Sequence, residues 1–227
     1  MRIPQVILFD FDYTLADSTA GAMECINHAL VRLGYPAAER QAIRRCIAYP
    51  LPEVLARLTG VEDPEAAAMF AQEFISRADE VMALMTPLFP DVPATVASLR
   101  SAGFRTGIVS TKFRYRIQSI LAQHDAGGLF DAIIGGEDVR RHKPHPEGLE
   151  RALAHFAIRP QDALYIGDHP VDAQAAAAAS VPFLAVLTGA ATREDFAGHE
   201  PLTYCSTLQE LLRLTLCQPP GSAEISS

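Results

Sequence analysis

The sequence predicts an α/β protein, a doubly wound parallel sheet with a small all-helical cap inserted after the first strand. Three observations predict it. Short, almost wholly apolar runs recur from about residue 91 onward, alternating with helical patterns, as in a parallel sheet buried on both faces. Residues 17–86 keep helical spacing and contain no convincing strand. Several apolar runs end in polar residues able to do chemistry, and in such sheets ligands sit beyond the carboxyl ends of the strands.

Val6-Ile7-Leu8-Phe9 reads as the first strand. In the stretch after it, Ala22, Ile26, Ala29, Leu30 and Leu33 share a helix face, and Gly34 follows as a stop. Leu51, Val54, Leu55 and Leu58 repeat the pattern before Gly60. Asp63-Pro64 reads as an N-cap and first helical residue, and Phe70, Phe74, Val81 and Met85 follow on one face. Pro87 and Pro90 close the segment. A helix over 93–101 precedes the strand Gly107-Ile108-Val109, and a helix with Ile117, Ile120 and Leu121 follows. Ala132-Ile133-Ile134 is the next strand, then a helix carrying Leu149, Ala152, Leu153 and Phe156. The strand Ala163–Ile166, an alanine-rich helix over 171–179 and the strand Phe183–Val186 continue the alternation. Thr207-x-x-Glu210 has capping-box spacing and predicts the start of a last helix with Leu211, Leu212 and Leu216. The expected division is a Rossmann-like core of 1–16 plus 87–217, a helical cap of 17–86, and a Pro/Gly/Ser-rich, disordered tail of 218–227.

At 227 residues, 49% hydrophobic and 20% charged, the chain has the balance of a soluble globular protein with one large domain or two smaller ones. No apolar stretch is long enough to span a membrane. Met1-Arg2 leads straight into the first strand, which a cleaved leader would remove, so the expectation is a cytoplasmic protein. Cys25, Cys46, Cys205 and Cys217 form no Cys-x-x-Cys pair and read as free thiols. A net charge of −8 argues against nucleic acid or an anionic membrane surface as partner, while leaving room for a small anionic substrate. Of 19 basic residues only Lys112 and Lys143 are lysines. Either the coding bias favours arginine, or a site requires a compact ammonium.

Asp10 and Asp12 follow the first strand directly. Two carboxylates that close repel unless a cation lies beside them, and Mg²⁺, with its preference for oxygen, is the obvious candidate. Ser110 follows the second strand, Asp168 a later one, and Lys143-Pro144-x-Pro146 lies in a loop between. All would converge on one crevice, with the cap leaving from the same edge as a lid. Plainer roles stand beside each residue. Ser110 could cap a helix, Lys143 could belong to an ordinary loop, and Asp172 could stabilise the first turn of its helix. Lys112, Arg44 and Arg45 read more simply as solvated charges. The seven histidines show no metal spacing, and His169 is at most at the rim.

Read together, Asp10-x-Asp12-x-Thr14-Leu15, Ser110, Lys143-Pro144-x-Pro146 and Gly167-Asp168-x-x-x-Asp172 resemble the haloacid dehalogenase superfamily, mostly Mg²⁺-dependent phosphatases. The resemblance covers nearly the whole chain. It implies Asp10 as nucleophile forming an aspartyl-phosphate and Asp12 as general acid and base. It implies Mg²⁺ on the carboxylates of Asp10 and Asp168 and the carbonyl of Asp12, with Asp172 supporting a metal-bound water or orienting Lys143. Ser110 and the backbone N–H groups of Phe11, Asp12 and Thr111 would hold the phosphoryl oxygens, and Lys143 would balance charge.

Within the resemblance, Tyr13 replaces a common glycine, adding bulk beside the nucleophile and altering the expected leaving-group pocket. Ser180 stands where many relatives have glycine. Tyr49, in Ile47–Leu51, and the cap arginines Arg44 and Arg45 are candidate specificity residues. Asp12 favours phosphoryl transfer over dehalogenation, and a cap without lysine excludes the Schiff-base phosphonatase reaction. The pattern, with Thr192–Phe196, looks closest to phosphoglycolate phosphatase and pyrophosphatase-like enzymes. The expected function is Mg²⁺-dependent hydrolysis of a small phosphorylated metabolite, phosphoglycolate-like. A β-phosphoglucomutase-like phosphotransferase and an inorganic pyrophosphatase are alternatives on the same core. A non-catalytic binding protein would show damage at a key motif position, and none is damaged.

Overall fold

A computed structural model of the chain describes residues 3–47 and 49–216. The expected tail of 218–227 and Cys217 lie outside the described residues. Six parallel strands form one sheet in the order β3-β2-β1-β4-β5-β6: β1 Val6–Phe9, β2 Arg105–Val109, β3 Ala132–Ile134, β4 Ala163–Gly167, β5 Phe183–Val186 and β6 Tyr204–Cys205. The central strand β1 pairs with β2 and β4, with Phe9 opposite Ile108 and Ile166. The strand order reverses there, so the crevice at its carboxyl end is the topological switch point.

Alternate residues of each strand face opposite layers. Ile7, Phe9, Ile108 and Ile166 pack with α5 Val92–Ser101, α6 Arg114–Gln123 and Leu211 of α9 Glu210–Leu216. Val6, Leu8, Val109 and Tyr165 pack with α7 Glu147–Phe156 and α8 Pro170–Ala178. Every residue of β1 is buried, as a strand covered on both faces requires. The doubly wound α/β fold expected above is the fold observed.

Between β1 and α5 the described residues form the helices α1 Thr19–Arg32, α2 Arg40–Cys46, α3 Leu51–Thr59 and α4 Pro64–Val81. Gly34 and Gly60, past the ends of α1 and α3, take positive φ, and Asp63 caps α4 by accepting from Ala66 N–H at 2.7 Å. Cys25, Ile26, Phe70 and Phe74 join the same apolar cluster as Ile7 and Phe9. The chain leaves for and returns from these helices side by side. Asp17 N–H donates to the Pro87 carbonyl at 2.9 Å, and Phe89 N–H to that of Leu15 at 3.0 Å.

Two expectations need correction. The short edge strand β6 was not foreseen, because two residues carry no apolar run. The last helix starts at Glu210, not Thr207. The Glu210 carboxylate accepts from Ser206 N–H at 3.2 Å, and residues 207–209 form a turn in which Gln209 N–H donates to Asp91 at 3.0 Å. No described helix is long and apolar enough to cross a membrane.

Candidate active site

Asp10 continues the ladder of β1, its N–H donating to the Ile166 carbonyl at 2.8 Å, and so stands at the strand's carboxyl end. The chain then turns sharply. The Phe11 carbonyl accepts from Leu15 N–H at 2.9 Å and Ala16 N–H at 3.1 Å, while the Phe11 side chain anchors the turn in the core.

The two acids do not share one cation. Lys143 Nζ lies 2.9 Å from Asp10 Oδ1, and Lys112 Nζ donates to Asp12 Oδ1 at 2.8 Å. The chain's two lysines each neutralise one carboxylate of the pair. Lys112 is therefore not a solvated residue, since only 8% of its side chain is exposed. The Ser18 hydroxyl also donates to Asp12, instead of capping α1, at whose N-terminus it sits.

Lys143 is held from behind. Its Nζ donates to Asp172 Oδ1 at 2.5 Å and to the Tyr165 hydroxyl at 3.2 Å. Asp172 also accepts from His169 N–H at 3.1 Å, so it both orients Lys143 and closes the first turn of α8. Burial disfavours the Lys143 ammonium, but Asp10 and Asp172 outweigh it and hold its pKa above the ordinary lysine value. Tyr165 was not foreseen. The available signal was a phenol in a fully buried strand, which needs a partner.

Ser110 directly follows β2 and is buried, with its Oγ accepting from Lys112 N–H at 3.3 Å. It is not a helix cap, because α6 begins four residues later with Phe113 at its N-cap. Thr111 follows it onto the wall of the crevice. Gly189, after β5, was also missed. A Cβ there would lie 1.8 Å from Asp168 Oδ2, so only glycine leaves room for that carboxylate.

Asp10, Asp168 and Asp172 each offer a buried oxygen within 4.8 Å of the others. Burial, with Asp172 and Asp12 nearby, lifts the Asp10 carboxyl to about 6 against the pull of Lys143. Burial and the charges of Asp172 and Asp10 raise Asp168 well above the carboxylate range. Three acids face one ammonium, a charge excess that a hard divalent cation would relieve. Asp172 is already occupied by Lys143, Tyr165 and His169, so Asp10 and Asp168 are the available pair. The donor set fits Mg²⁺.

Residues 7–186 match the family described as haloacid dehalogenase-like hydrolase. The chain belongs to the haloacid dehalogenase-like hydrolases. Its relatives include a phosphoglycolate phosphatase of Xanthomonas campestris pv. campestris, 30% identical over 90% of each chain. Another, from Photorhabdus laumondii subsp. laumondii, is 29% identical over 92% of this chain and 91% of the relative. Among solved structures, a haloacid dehalogenase-like protein from Bacteroides fragilis superposes with a TM-score of 0.89 at 45% identity, covering 92% of this chain and 99% of the other. These similarities place the chain among the phosphatases of the family, as a phosphoric monoester hydrolase.

For this hydrolase the candidate specificity residues separate by position. Tyr49 lines a chamber of about 270 Å³ between the helical cap and the core, and Asp12 is part of the same lining. Tyr13 does not line it. Its backbone takes φ 59°, a left-handed conformation usual for glycine, and its hydroxyl lies 2.9 Å from Thr19 Oγ1. Arg44 stacks over the Tyr13 ring at 5.2 Å and donates to the Gly189 carbonyl at 3.3 Å, so it is part of the cap–core seam, with its Nε buried and without a hydrogen-bond partner. Arg45 is exposed, as the plainer reading had it. His169 touches the cap through the Tyr49 ring, 5.2 Å away edge-on.

Proposed function

We propose that the chain is a Mg²⁺-dependent phosphomonoesterase that works through an aspartyl-phosphate on Asp10. The observation that carries this reading is the separation of the two acids, each with its own lysine. Lys143 pulls against the burial that raises the Asp10 carboxyl to about 6 and so favours the ionised carboxylate that a nucleophile needs. Asp12 stands toward the chamber, where a leaving alcohol would emerge, as an acid must.

In the first step an Asp10 oxygen bonds to phosphorus and the ester oxygen departs with a proton from Asp12. In the second, water attacks phosphorus, Asp12 takes its proton back, and the Asp10 carboxylate is released with inorganic phosphate. Ser110 and the N–H groups of Phe11, Asp12 and Thr111 hold the phosphoryl oxygens, and Lys143 offsets their charge. Mg²⁺ held by Asp10 and Asp168, with the Asp12 carbonyl, would supply further positive charge to the same oxygens.

The test is phosphate release from a panel of phosphomonoesters with and without Mg²⁺, beginning with phosphoglycolate, for which the relatives are named. Turnover is expected only with Mg²⁺, with a hydroxylamine-sensitive phosphoenzyme. Asp10→Asn should lose turnover by roughly 10³-fold or more, and Asp12→Asn by roughly 10²–10⁴-fold. A folded protein inert on every ester sinks the reading, and Asp10→Asn at full rate sinks the nucleophile.

A further inference from the structure

The chamber beyond Asp12 says what kind of alcohol leaves. One end is polar, with Asp12, Ser18, Thr111 and Lys112. The remaining wall is largely apolar and includes Ile26, Leu51, Val54, Phe74, Ile75 and Met82. At ~30 Å³ for each water-sized group, its volume of about 270 Å³ takes roughly nine non-hydrogen atoms. A glycolate moiety is about half that size on the same scale.

Charge separates the candidates further. The cations on this wall already have anions. Lys112 is paired with Asp12, and Arg116 holds Asp79 at 2.8 and 3.0 Å while donating to the Ile75 carbonyl at 3.1 Å. The Nδ1 of His142, which also lines the chamber, is buried without a partner. Burial lowers the pKa of this ring, so it offers a hydrogen bond and no full charge. A carboxylate carried into this space would leave water, and the two cations that line the chamber, Lys112 and Arg116, are already paired with Asp12 and Asp79. Methylenes and rings entering it would gain.

We propose that the preferred substrates are phosphomonoesters of apolar alkyl or arylalkyl alcohols, with the phosphoryl group at Asp10 and the hydrocarbon in the chamber under α1, α3 and α4. This rests on the phosphomonoesterase reading for the chemistry, but the chamber is a separate observation.

The experiment is a series of n-alkyl phosphates from ethyl to hexyl, with 2-phenylethyl phosphate, glycerol 3-phosphate and phosphoglycolate, all esters of aliphatic alcohols. Each added methylene should raise kcat/KM roughly three- to fourfold until the chamber fills. Phenylethyl phosphate should exceed phosphoglycolate by at least about tenfold, the worth of two or more methylenes. The matching n-alkylphosphonates cannot be hydrolysed, and their binding followed by calorimetry should tighten along the same series. Ala71→Phe, on the chamber wall, should move the optimum to shorter chains. A flat or falling series in both turnover and binding, or a preference for phosphoglycolate, overturns the inference and leaves the phosphatase reading standing. Phosphonate binding that tightens with length while no ester is hydrolysed supports the chamber and overturns the chemistry.

Discussion

The reactive residues of this hydrolase are set by short-range charge pairing in a site that burial makes costly. Lys112 is the clearest case. Its ammonium is 2.8 Å from Asp12 and almost fully buried, so Lys112→Met leaves the proposed acid without its cation. The expected result is a fall in kcat of roughly ten- to a hundredfold with little change in fold, checked by steady-state kinetics and circular dichroism. Lys112→Arg should restore little, because a planar fork does not fit a point contact. Asp10 predicts a pH dependence. Its carboxyl is raised to about 6, chiefly by burial. A carboxyl raised on folding stabilises the fold below its ordinary range, and that contribution is lost as pH climbs through about 6. Through this group the metal-free protein is less stable at pH 7.5 than at pH 5. Mg²⁺ should raise the melting temperature more at pH 7.5 than at pH 5, where protons compete for the same oxygens. Thermal unfolding at both pH values with and without Mg²⁺ checks this, and an equal shift at both contradicts it.

At the scale of elements, the site is assembled from the carboxyl ends of β1, β2, β4 and β5 and the loop before α7. The four sequence motifs lie after β1, β2 and β4 and in the loop before α7, but the wall after β5 does not announce itself. The turn after β5 brings Gly189 against Asp168 and the Thr188 hydroxyl onto the Tyr13 carbonyl. Gly189→Ala places a methyl group where the Asp168 carboxylate now is. The expected outcome is loss of most activity and of the Mg²⁺-induced thermal shift, with the far-ultraviolet spectrum unchanged. Retention of the Mg²⁺ shift would show that Asp168 is not needed for the cation. A lone glycine after a strand carries no sign of what approaches it. Only the neighbouring strand, distant in sequence, makes its missing side chain necessary.

Across the whole molecule the cap and the core meet along a seam of specific contacts. Asp79 of α4 accepts from the Tyr115 hydroxyl at 2.7 Å and from Arg116 of α6, and Arg44 reaches Gly189. Arg116 is buried and Asp79 half-exposed, so removing the acid leaves the arginine's charge partly uncompensated. Asp79→Ala should raise KM several-fold while changing kcat less, and should speed amide exchange in α4 and α6, measured by hydrogen–deuterium exchange. Unchanged exchange would mean that the pair does not hold the seam.

Much of this architecture was legible in the chain itself. Apolar runs and helical spacing identify five of the six strands and eight of the nine α-helices of the described residues, all but the short α2, because burial on two faces leaves a local signature in composition. The two-residue edge strand β6 has no such signature. Asp10, Asp12, Ser110, Lys143 and Asp168 could be named because each follows an element whose end is readable. Their pairing could not. Which lysine faces which aspartate of the pair and that Arg44 reaches Gly189 are decided by residues brought together from 100 or more positions apart, as Lys112 and Asp12 are. The sequence by itself determined the fold class and the chemical groups available. Only the tertiary structure decided which charges cancel and which side chains line the chamber beside Asp12, because electrostatic and packing energies depend on distances that chain order does not contain.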